Sequence, residues 1–400
     1  MVIVAAVAGI VGAAIAAMAI YLLVLSGAGL ALRRSRPAPG PGNRRFAILV
    51  PAHNEATLIG RLLASLRAQR YEQSRFDVFV VADNCTDATA ELARAGGAIV
   101  YERRNAVRRA KGYALRWLLD LVRWHSAYDA YVVFDADSEV PPDFLERMDA
   151  RLEAGSTVVQ AYYRVLNAQA SPIAALREAA LASLHYLRPL GRSALGLSAG
   201  LKGNGMCFSA NTLDRHGWGS AGLAEDVELH LALVRAGVRV DFAPEAVVRA
   251  DMPTTLRESW TQNVRWEAGR LTVLKRDIVP LLKEGFARRD PIRIDAAAEQ
   301  LIPPLSVAVA AGSLSVVVGA LAGSTLVMAL GALGTAGLMV HVIAGLAAIR
   351  APATVYRALL IAPAYALWKL SLYARAAAAP AGHAWVRTRR AETGGPGAPR

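Results

Sequence analysis

Hydrophobic residues along this chain are concentrated in two uncharged blocks, while the region between them mixes apolar with polar positions. No Asp, Glu, Lys or Arg occurs in 1–32 or in 301–349, whereas 33–300 has the mixed charge of a globular domain. A helix needs about 20 apolar residues to cross a bilayer. The pattern therefore predicts membrane helices on both sides of one substantial water-facing domain.

The two apolar blocks predict three transmembrane helices. One lies in 1–32, and two lie in 296–350, where 301–322 and 325–349 are joined by a turn near Gly323. Arginines follow both blocks directly, and Lys and Arg are enriched on the cytoplasmic side of membrane proteins. We therefore expect a multi-pass protein of a bacterial-type inner (plasma) membrane, with its central domain in the cytoplasm.

The segments next to these helices are basic. The linker 33–45 opens with three arginines, and 380–400 is expected to be a basic, partly disordered tail. Segment 351–379 is apolar but contains Lys369 and Arg375, which favours an interfacial helix over an additional membrane span. The net charge of +13 predicts contact with membrane lipids. Nucleic acid is not expected as a partner, because basic and aromatic residues are not interleaved in a folded module.

The region 46–290 alternates between short apolar runs and helical patterns. Strands are predicted at Phe46–Pro51, Asp77–Ala82, Ala98–Tyr101 and Ala130–Phe134. Strands that alternate with helices are typical of an α/β fold with a mostly parallel, doubly wound sheet. Ligands of such sheets bind beyond the carboxyl ends of the strands.

Carboxylates follow three of these predicted strands. The first strand leads into Glu55, the second into Asp83, and the fourth into Asp135 and Asp137. One Asp after a strand is usually a turn or capping residue, but three such positions together favour a site. The first loop contains no glycine, which excludes dinucleotide and P-loop fingerprints. The Asp-x-Asp pair instead suits Mg²⁺ or Mn²⁺ that carries the phosphate charge of a nucleotide.

Five motifs, taken in order, resemble those of inverting family 2 glycosyltransferases. They are PAHNE at 51–55, VVADNCTD at 80–87, VVFDADS at 132–138, AED at 224–226 and QNVRW at 262–266. D-x-D alone is a weak signal, but the ordered set ahead of membrane helices is specific, and the resemblance extends over about 46–270. In architecture the chain is similar to the membrane-integrated synthases of cellulose, hyaluronan and poly-N-acetylglucosamine.

This resemblance implies a glycosyltransferase-A catalytic domain, Rossmann-like with a mostly parallel sheet, that uses a nucleotide-sugar donor, with a UDP sugar favoured. It implies Asp226 as the general base and Asp137 as the metal ligand. The implied nucleotide-sugar contacts are Pro51, Glu55, Asp83, Lys111, Asp135, Gln262, Arg265 and Trp266. Weaker candidates are Glu225 and, near the acceptor, Gly203 and Asn204.

Several alternatives stay open at this point. Asp226 also suits the first turn of a helix, where negative charge complements the helix dipole, and Trp266 suits an interfacial anchor. The favoured acceptor is a polysaccharide or other glycan, and the alternative is a lipid or polyprenyl carrier that receives a single sugar. A metal-dependent phosphatase and a non-enzymatic membrane protein are distant alternatives. The identity of any partner subunit is not predicted.

Overall fold

A computed structural model of the protein describes residues 1–32, 37–38, 40, 42–125, 127–219 and 222–378. Within these residues, one mixed sheet carries helices on both faces and adjoins a group of apolar helices. The strands are β1 (Phe46–Ala52), β2 (Phe76–Asp83), β3 (Ile99–Arg103), β4 (Ala130–Val133), β5 (Ser138–Glu139), β6 (Val158–Val165), β7 (Met206–Ser209) and β8 (Asp241–Ala250).

The first nine helices are the N-terminal apolar helix α1 and the helices that lie between the strands of the sheet. They are α1 (Val2–Ala31), α2 (Ile59–Arg67), α3 (Thr89–Ala95), α4 (Lys111–His125), α5 (Phe144–Glu153), α6 (Pro172–Leu181), α7 (Arg188–Ala194), α8 (Ala210–His216) and α9 (Glu225–Arg235). The later helices are α10 (Leu256–Arg288), α11 (Pro291–Leu301), α12 (Leu305–Leu321), α13 (Thr325–Ala348), α14 (Ala353–Ala358) and α15 (Ala362–Ala378).

The sheet has the strand order β3-β2-β1-β4-β7-β6-β8-β5. β3, β2, β1 and β4 are parallel to one another, and β6 is parallel to β8, while β7 runs antiparallel to both of its neighbours. The four strands predicted from the sequence are confirmed, with shifts of one or two residues at their ends. Because β1, β2 and β4 are adjacent and parallel, their carboxyl ends meet at one edge, as predicted.

Two hydrophobic clusters cover the two faces of the sheet. Side chains of a strand alternate between faces, so Ile48 of β1 joins one cluster with Leu62 of α2, while Leu49 joins the other with Leu115 of α4. Both β1 residues are fully buried. Near-continuous apolar strands are therefore needed on this parallel part of the sheet, which explains the FAILVPA sequence of β1.

Two described helices, α1 and α13, are long and apolar enough to cross a membrane. A third span requires that α11 and α12 count as one helix pair, because they are bent by 73° at a short break. The predicted helix over 301–322 is therefore too long at its start. Pro303 and Pro304 cause the break, since proline lacks an N–H and disfavours helical geometry in the residue before it.

The apolar helices pack directly on the catalytic region. A Cβ atom on Gly191 of α7 would collide with the Leu25 backbone of α1, so this close approach requires glycine. The following residue, Arg192 of α7, donates hydrogen bonds to Tyr21 of α1 (2.6 Å) and to Asp295 of α11 (2.8 Å). Helices from both ends of the chain are thus tied to one arginine.

The segment predicted as an interfacial or additional membrane helix contains α14 and α15. Lys369 of α15 is buried and lies 2.9 Å from the Glu267 carboxylate of α10, and Trp368 stacks edge-on with Trp260. Its placement at the membrane surface stays a prediction. The 380–400 tail lies outside the described residues, as does part of the linker 33–45.

Candidate active site

A cavity of about 880 Å³ opens at the carboxyl ends of β1 and β4. Of the thirteen residues singled out in the sequence, all but Asp83 and Asn204 line it. They are Pro51, Glu55, Lys111, Asp135, Asp137, Gly203, Glu225, Asp226, Gln262, Arg265 and Trp266. The fold therefore brings together motifs that are more than 200 positions apart in the chain.

The D-x-D loop directly follows β4 and is fixed by Asn204. The Asn204 side chain, which is fully buried, accepts a hydrogen bond from the Asp135 backbone N–H (3.2 Å) and donates to the Ser138 hydroxyl (2.9 Å). A buried amide with partners on both sides of the loop restricts its conformation. Asn204 thus holds the D-x-D loop in place through hydrogen bonds and does not line the cavity.

Lys111, the first residue of α4, bridges the acidic groups of the rim. Its ammonium lies 2.6 Å from the Asp135 carboxylate and 3.6 Å from Glu225, and it donates to the Gly203 carbonyl (2.6 Å). Burial opposes the charge, but the carboxylates outweigh burial and raise the pKa of Lys111. The residue therefore stays protonated and provides a fixed positive charge at this rim.

Asp226 lies in the first turn of α9, next to Glu225. Its Oδ1 accepts a hydrogen bond from the Val227 backbone N–H (2.9 Å), so the residue also has the first-turn position considered from the sequence. Burial raises the pKa of both carboxyls, and the charge of Lys111 opposes this rise. A raised carboxyl pKa is typical of an acid–base group.

Gly203 lies directly against the Asp226 carboxylate. It has a φ of +77°, and a Cβ atom added there would lie 3.3 Å from Asp226 Oδ2 and 3.7 Å from Lys111 Nζ. The left-handed backbone favours glycine, and the lack of a side chain leaves the space that the two charged groups use.

Helix α10 presents three predicted residues to the cavity. Gln262, Arg265 and Trp266 follow the i, i+3, i+4 spacing that places side chains on one helix face. The buried Oε1 of Gln262 accepts no hydrogen bond from any described residue. One face of the Trp266 indole carries the Arg177 guanidinium, 5.3 Å from the ring centroid. This face therefore offers a polar acceptor, a cation and an aromatic surface.

Asp83 differs from the other candidates. The residue is 1% exposed and its carboxylate forms an ion pair with Arg103, at the end of the neighbouring strand β3. The adjacent His53 ring bonds the Asp83 carbonyl through Nδ1 (2.7 Å). Asp83 thus supports the loops beside the cavity instead of lining it, and its contact with a nucleotide stays a prediction. Sequence analysis missed Arg103, whose only signal is a charge at the end of an apolar strand.

Sequence analysis also missed a cationic region deeper in the same cavity. This region is lined by three basic residues and one carboxylate, namely Arg188 of α7, Lys202, Arg270 of α10 and Glu299 of α11. Arg270 donates to the Gln300 and Ile302 carbonyls at the break between α11 and α12. These residues belong to no motif, and nothing local in the sequence distinguishes them from ordinary surface charges.

The donor set at the rim fits a hard divalent cation that is shared with a ligand. Asp135 and Asp137 offer carboxylate oxygens, which Mg²⁺ and Mn²⁺ prefer. Among the described residues, no group of three His, Cys, Asp or Glu side chains is arranged to hold a metal alone. An ion at this position would complete its coordination with oxygens from elsewhere, such as the phosphates of a nucleotide.

Comparisons with known proteins bear on the whole catalytic region. Residues 41–269 match the family described as "Glycosyltransferase like family 2". A beta-monoglucosyldiacylglycerol synthase of Nostoc is 30% identical over 232 residues, which is 56% of this chain and 48% of that protein. A poly-beta-1,6-N-acetyl-D-glucosamine synthase of Staphylococcus aureus is 25% identical over 260 residues, 62% of this chain and 59% of that protein.

These matches span about half to three fifths of the length of the curated relatives. Among solved structures, the mannosyltransferase PcManGT from Pyrobaculum calidifontis, in complex with GDP-Man and Mn²⁺, has a TM-score of 0.54. It is 21% identical and the match covers 89% of this chain and 99% of that chain, which confirms the glycosyltransferase-A fold. Together with the family match over more than half of the sequence, this means that the chain belongs to glycosyltransferase family 2.

Proposed function

We propose that the protein is a membrane-bound inverting transferase that moves one sugar from a nucleotide-sugar donor to an acceptor entering from the membrane side. The observation that carries this proposal is the continuity of the cavity. One cavity is lined both by Asp135 and Asp226 of the sheet rim and by Leu305 and Val342 of the apolar helices. A donor from the cytoplasm and an acceptor from the membrane can therefore meet at Asp226.

The donor is expected at the rim of the sheet. Pro51 and Glu55 would lie beside the nucleotide base and ribose, and Asp135 and Asp137 would hold Mg²⁺ or Mn²⁺ against its diphosphate. Such an ion would neutralise charge on the leaving group. Lys111 and Arg265 supply further fixed positive charge, which stabilises a departing diphosphate without reorganisation. A UDP sugar remains the favoured donor.

Transfer then needs a base on the acceptor side of the sugar. The acceptor hydroxyl oxygen forms a bond to the anomeric carbon, while the bond from that carbon to the diphosphate breaks and its electron pair leaves with the nucleotide. The hydroxyl proton goes to the Asp226 carboxylate. Attack on the face opposite the leaving group inverts the anomeric centre. Trp266 offers an aromatic surface against which a sugar ring can pack.

The names of the relatives include both classes of acceptor that the sequence left open. The Nostoc relative is named as a synthase of a glucosylated diacylglycerol, and the staphylococcal relative as a polysaccharide synthase. The proposed location is the bacterial-type inner membrane, with the sheet domain in the cytoplasm. Helices α1 and α13, with the bent α11–α12 pair, would supply the spans.

The test compares two substitutions in the first turn of α9. Asp226→Asn keeps the shape but removes the proton acceptor, so we expect kcat to fall by about 10²–10⁴-fold with little change in nucleoside diphosphate affinity. Glu228→Gln is the matched control, because it removes a first-turn charge that does not line the cavity. Purified protein in lipid nanodiscs would be assayed for sugar transfer and titrated calorimetrically with nucleoside diphosphate.

Two outcomes would contradict the assignment. If Glu228→Gln slows transfer as much as Asp226→Asn does, the effect comes from the helix terminus and not from a base. If Asp226→Asn loses nucleotide affinity but keeps its transfer rate at saturating donor, the carboxylate is a binding group.

A further inference from the structure

The deep end of the cavity is apolar and is formed by the membrane-side helices. Leu305 and Val309 line it from successive turns of α12, Val342 from α13, and Ala366 and Leu367 from α15. A nucleotide and one sugar do not need this surface, since both are polar. Apolar cavity walls favour a hydrocarbon ligand, because its burial removes apolar surface from water.

Two buried cations lie between this apolar end and the catalytic rim. Arg188 is 4% exposed, its Nε is buried, and its guanidinium makes no hydrogen bond to any described residue. Its closest charged partner is Glu299, at 3.7 Å. The Lys202 ammonium lies 3.8 Å from the same carboxylate. Neither distance is that of a hydrogen bond.

Glu299, the carboxylate nearest to both cations, also accepts a hydrogen bond from Arg192. Arg192 pairs in addition with Asp295 at 2.8 Å, and Asp226 is a further carboxylate whose charge acts on Lys202. Burial lowers the pKa of Lys202 and of Arg188, which reflects the cost of holding their charges away from water. A buried charge without a full partner is expensive. Two buried cations, neither of which has a hydrogen-bonded carboxylate, therefore favour an anionic ligand.

Lys202 connects the cationic region with the catalytic rim. It directly precedes Gly203, where an added Cβ atom would lie 3.3 Å from Asp226 Oδ2, and the charges of both Glu299 and Asp226 act on the Lys202 ammonium. An anion held by Arg188 and Lys202 would thus lie between the apolar end and the proposed base. The cavity thus has an apolar end, a cationic region and the Asp226 carboxylate. These three parts match a ligand with a hydrocarbon chain, an anionic group and a hydroxyl, in that order.

We infer that the acceptor is a lipid whose headgroup carries a phosphate and, beyond it, a free hydroxyl. The chain lies along α12, α13 and α15, Arg188 and Lys202 hold the phosphate, and the hydroxyl reaches Asp226. This inference rests on the proposed function and selects its acceptor class. The transfer step is the one given above, with the lipid hydroxyl as nucleophile and the phosphate unchanged. A glycerophospholipid and a polyprenyl-diphosphate sugar share this chemistry.

The lipid test uses the full chain in phosphatidylcholine nanodiscs with Mn²⁺ and a panel of nucleotide sugars, beginning with UDP sugars. Dioleoylphosphatidylglycerol and undecaprenyl-diphosphate-N-acetylglucosamine carry both phosphate and hydroxyl, and the product formed tells the two sources apart. Dioleoylglycerol has the hydroxyl without the phosphate, and dioleoylphosphatidic acid has the phosphate without a further hydroxyl. We expect glycosylation of at least one of the first two lipids and of neither control lipid.

Substitutions then test the two cations. We expect Lys202→Gln and Arg188→Gln each to raise the KM for the accepted lipid by about 10- to 100-fold, which corresponds to the usual contribution of a hydrogen bond to a charged group. The Kd for nucleoside diphosphate should stay unchanged in both variants. Lys202→Arg should recover part of the loss. Arg123→Gln is the control for loss of positive charge, because Arg123 pairs with Asp214 and does not line the cavity. The unchanged Kd also shows that each variant is folded, and the less buried Lys202 provides a result if Arg188→Gln does not fold.

Several results would overturn the inference. Equal transfer to dioleoylglycerol means that no phosphate is recognised. A parallel loss of nucleotide affinity in both variants means that these cations bind the donor diphosphate. Transfer to an oligosaccharide but to no lipid rejects the inference and entry of the acceptor from the membrane side, and leaves the proposed sugar transfer at Asp226 intact. Absence of donor consumption with every acceptor rejects the proposed function, and this inference with it.

Discussion

Gly203→Ala tests whether the geometry next to Asp226 limits the reaction. The substitution has two separable effects in the structure. A non-glycine residue at a φ of +77° costs about 1–2 kcal/mol of folding free energy. The added methyl also lies 3.3 Å from Asp226 Oδ2, a contact that requires the carboxylate to move by a few tenths of an ångström.

The catalytic effect follows from that displacement. A misplacement of about 1 Å costs on the order of 10²-fold in rate, so a few tenths should lower kcat by about 3- to 10-fold. Gly237→Ala is a closely matched control. Gly237 follows the other end of α9 with a φ of +78°, and a Cβ atom there meets nothing within 4 Å. Both variants should therefore lose similar stability, but only Gly203→Ala should lose transfer rate.

The assay combines thermal unfolding of the protein in nanodiscs with single-turnover transfer at saturating donor. The two variants should show equal decreases in apparent melting temperature, which confirms that backbone strain is matched. If Gly203→Ala keeps the rate of the Gly237→Ala protein, the position of the Asp226 carboxylate does not limit the reaction. The assignment of Asp226 as the base would then lose its geometric support.

Three further predictions concern the charged groups of the rim. Asp137→Asn should abolish the effect of Mn²⁺ or Mg²⁺ on nucleotide affinity while far-ultraviolet circular dichroism stays unchanged, and retention of normal metal-dependent transfer would refute the metal assignment. Arg265→Ala should weaken nucleoside diphosphate binding as well as transfer, and Arg265→Lys should restore only part, because the planar fork is lost; calorimetry that finds wild-type affinity would contradict this. Lys111→Gln should move the acid limb of the pH–rate profile to higher pH. Loss of the Lys111 charge raises the pKa of Asp226, because Lys111 opposes the effect of burial on this pKa, and a base must be deprotonated to act. An acid limb that stays in place or moves to lower pH would exclude Asp226 as the titrating group.

Much of the sheet region could be predicted from local sequence. The apolar runs of β1 and β4 are buried on both faces, and that of β2 is largely buried, so each appears as a short continuous hydrophobic segment. β3 lies at the edge of the sheet with Ile99 exposed, and its apolar run is shorter. Strands β5 to β8 were not predicted. β7, with the sequence MCFS, is only four residues long and pairs antiparallel with its neighbours, and no local periodicity in so short a segment indicates its partners.

The apolar helices were predicted with similar success and one error. Uncharged stretches of membrane length identified α1 and α13. The helix expected over 301–322 begins at Leu305 instead. Pro303 and Pro304 account for the break, and both could have been read from the sequence. The charged helix α11 begins after the predicted catalytic domain (46–290) and extends into the predicted membrane region (296–350), and it is not predicted as a separate element, because its role depends on the partners that bury Asp295 and Glu299.

The sequence by itself determined the family, the D-x-D and Q-x-x-R-W positions and the alternation of strands and helices, because these depend on neighbouring residues and short-range periodicity. Only the tertiary structure decided which charges are neutralised. Asp83 faces Arg103 instead of the cavity, whereas Arg188 and Lys202 lie beyond hydrogen-bond distance of Glu299. The physical reason is that burial and ion pairing depend on groups that are distant in sequence, and such pairings are set by how the sheet domain packs against the apolar helices.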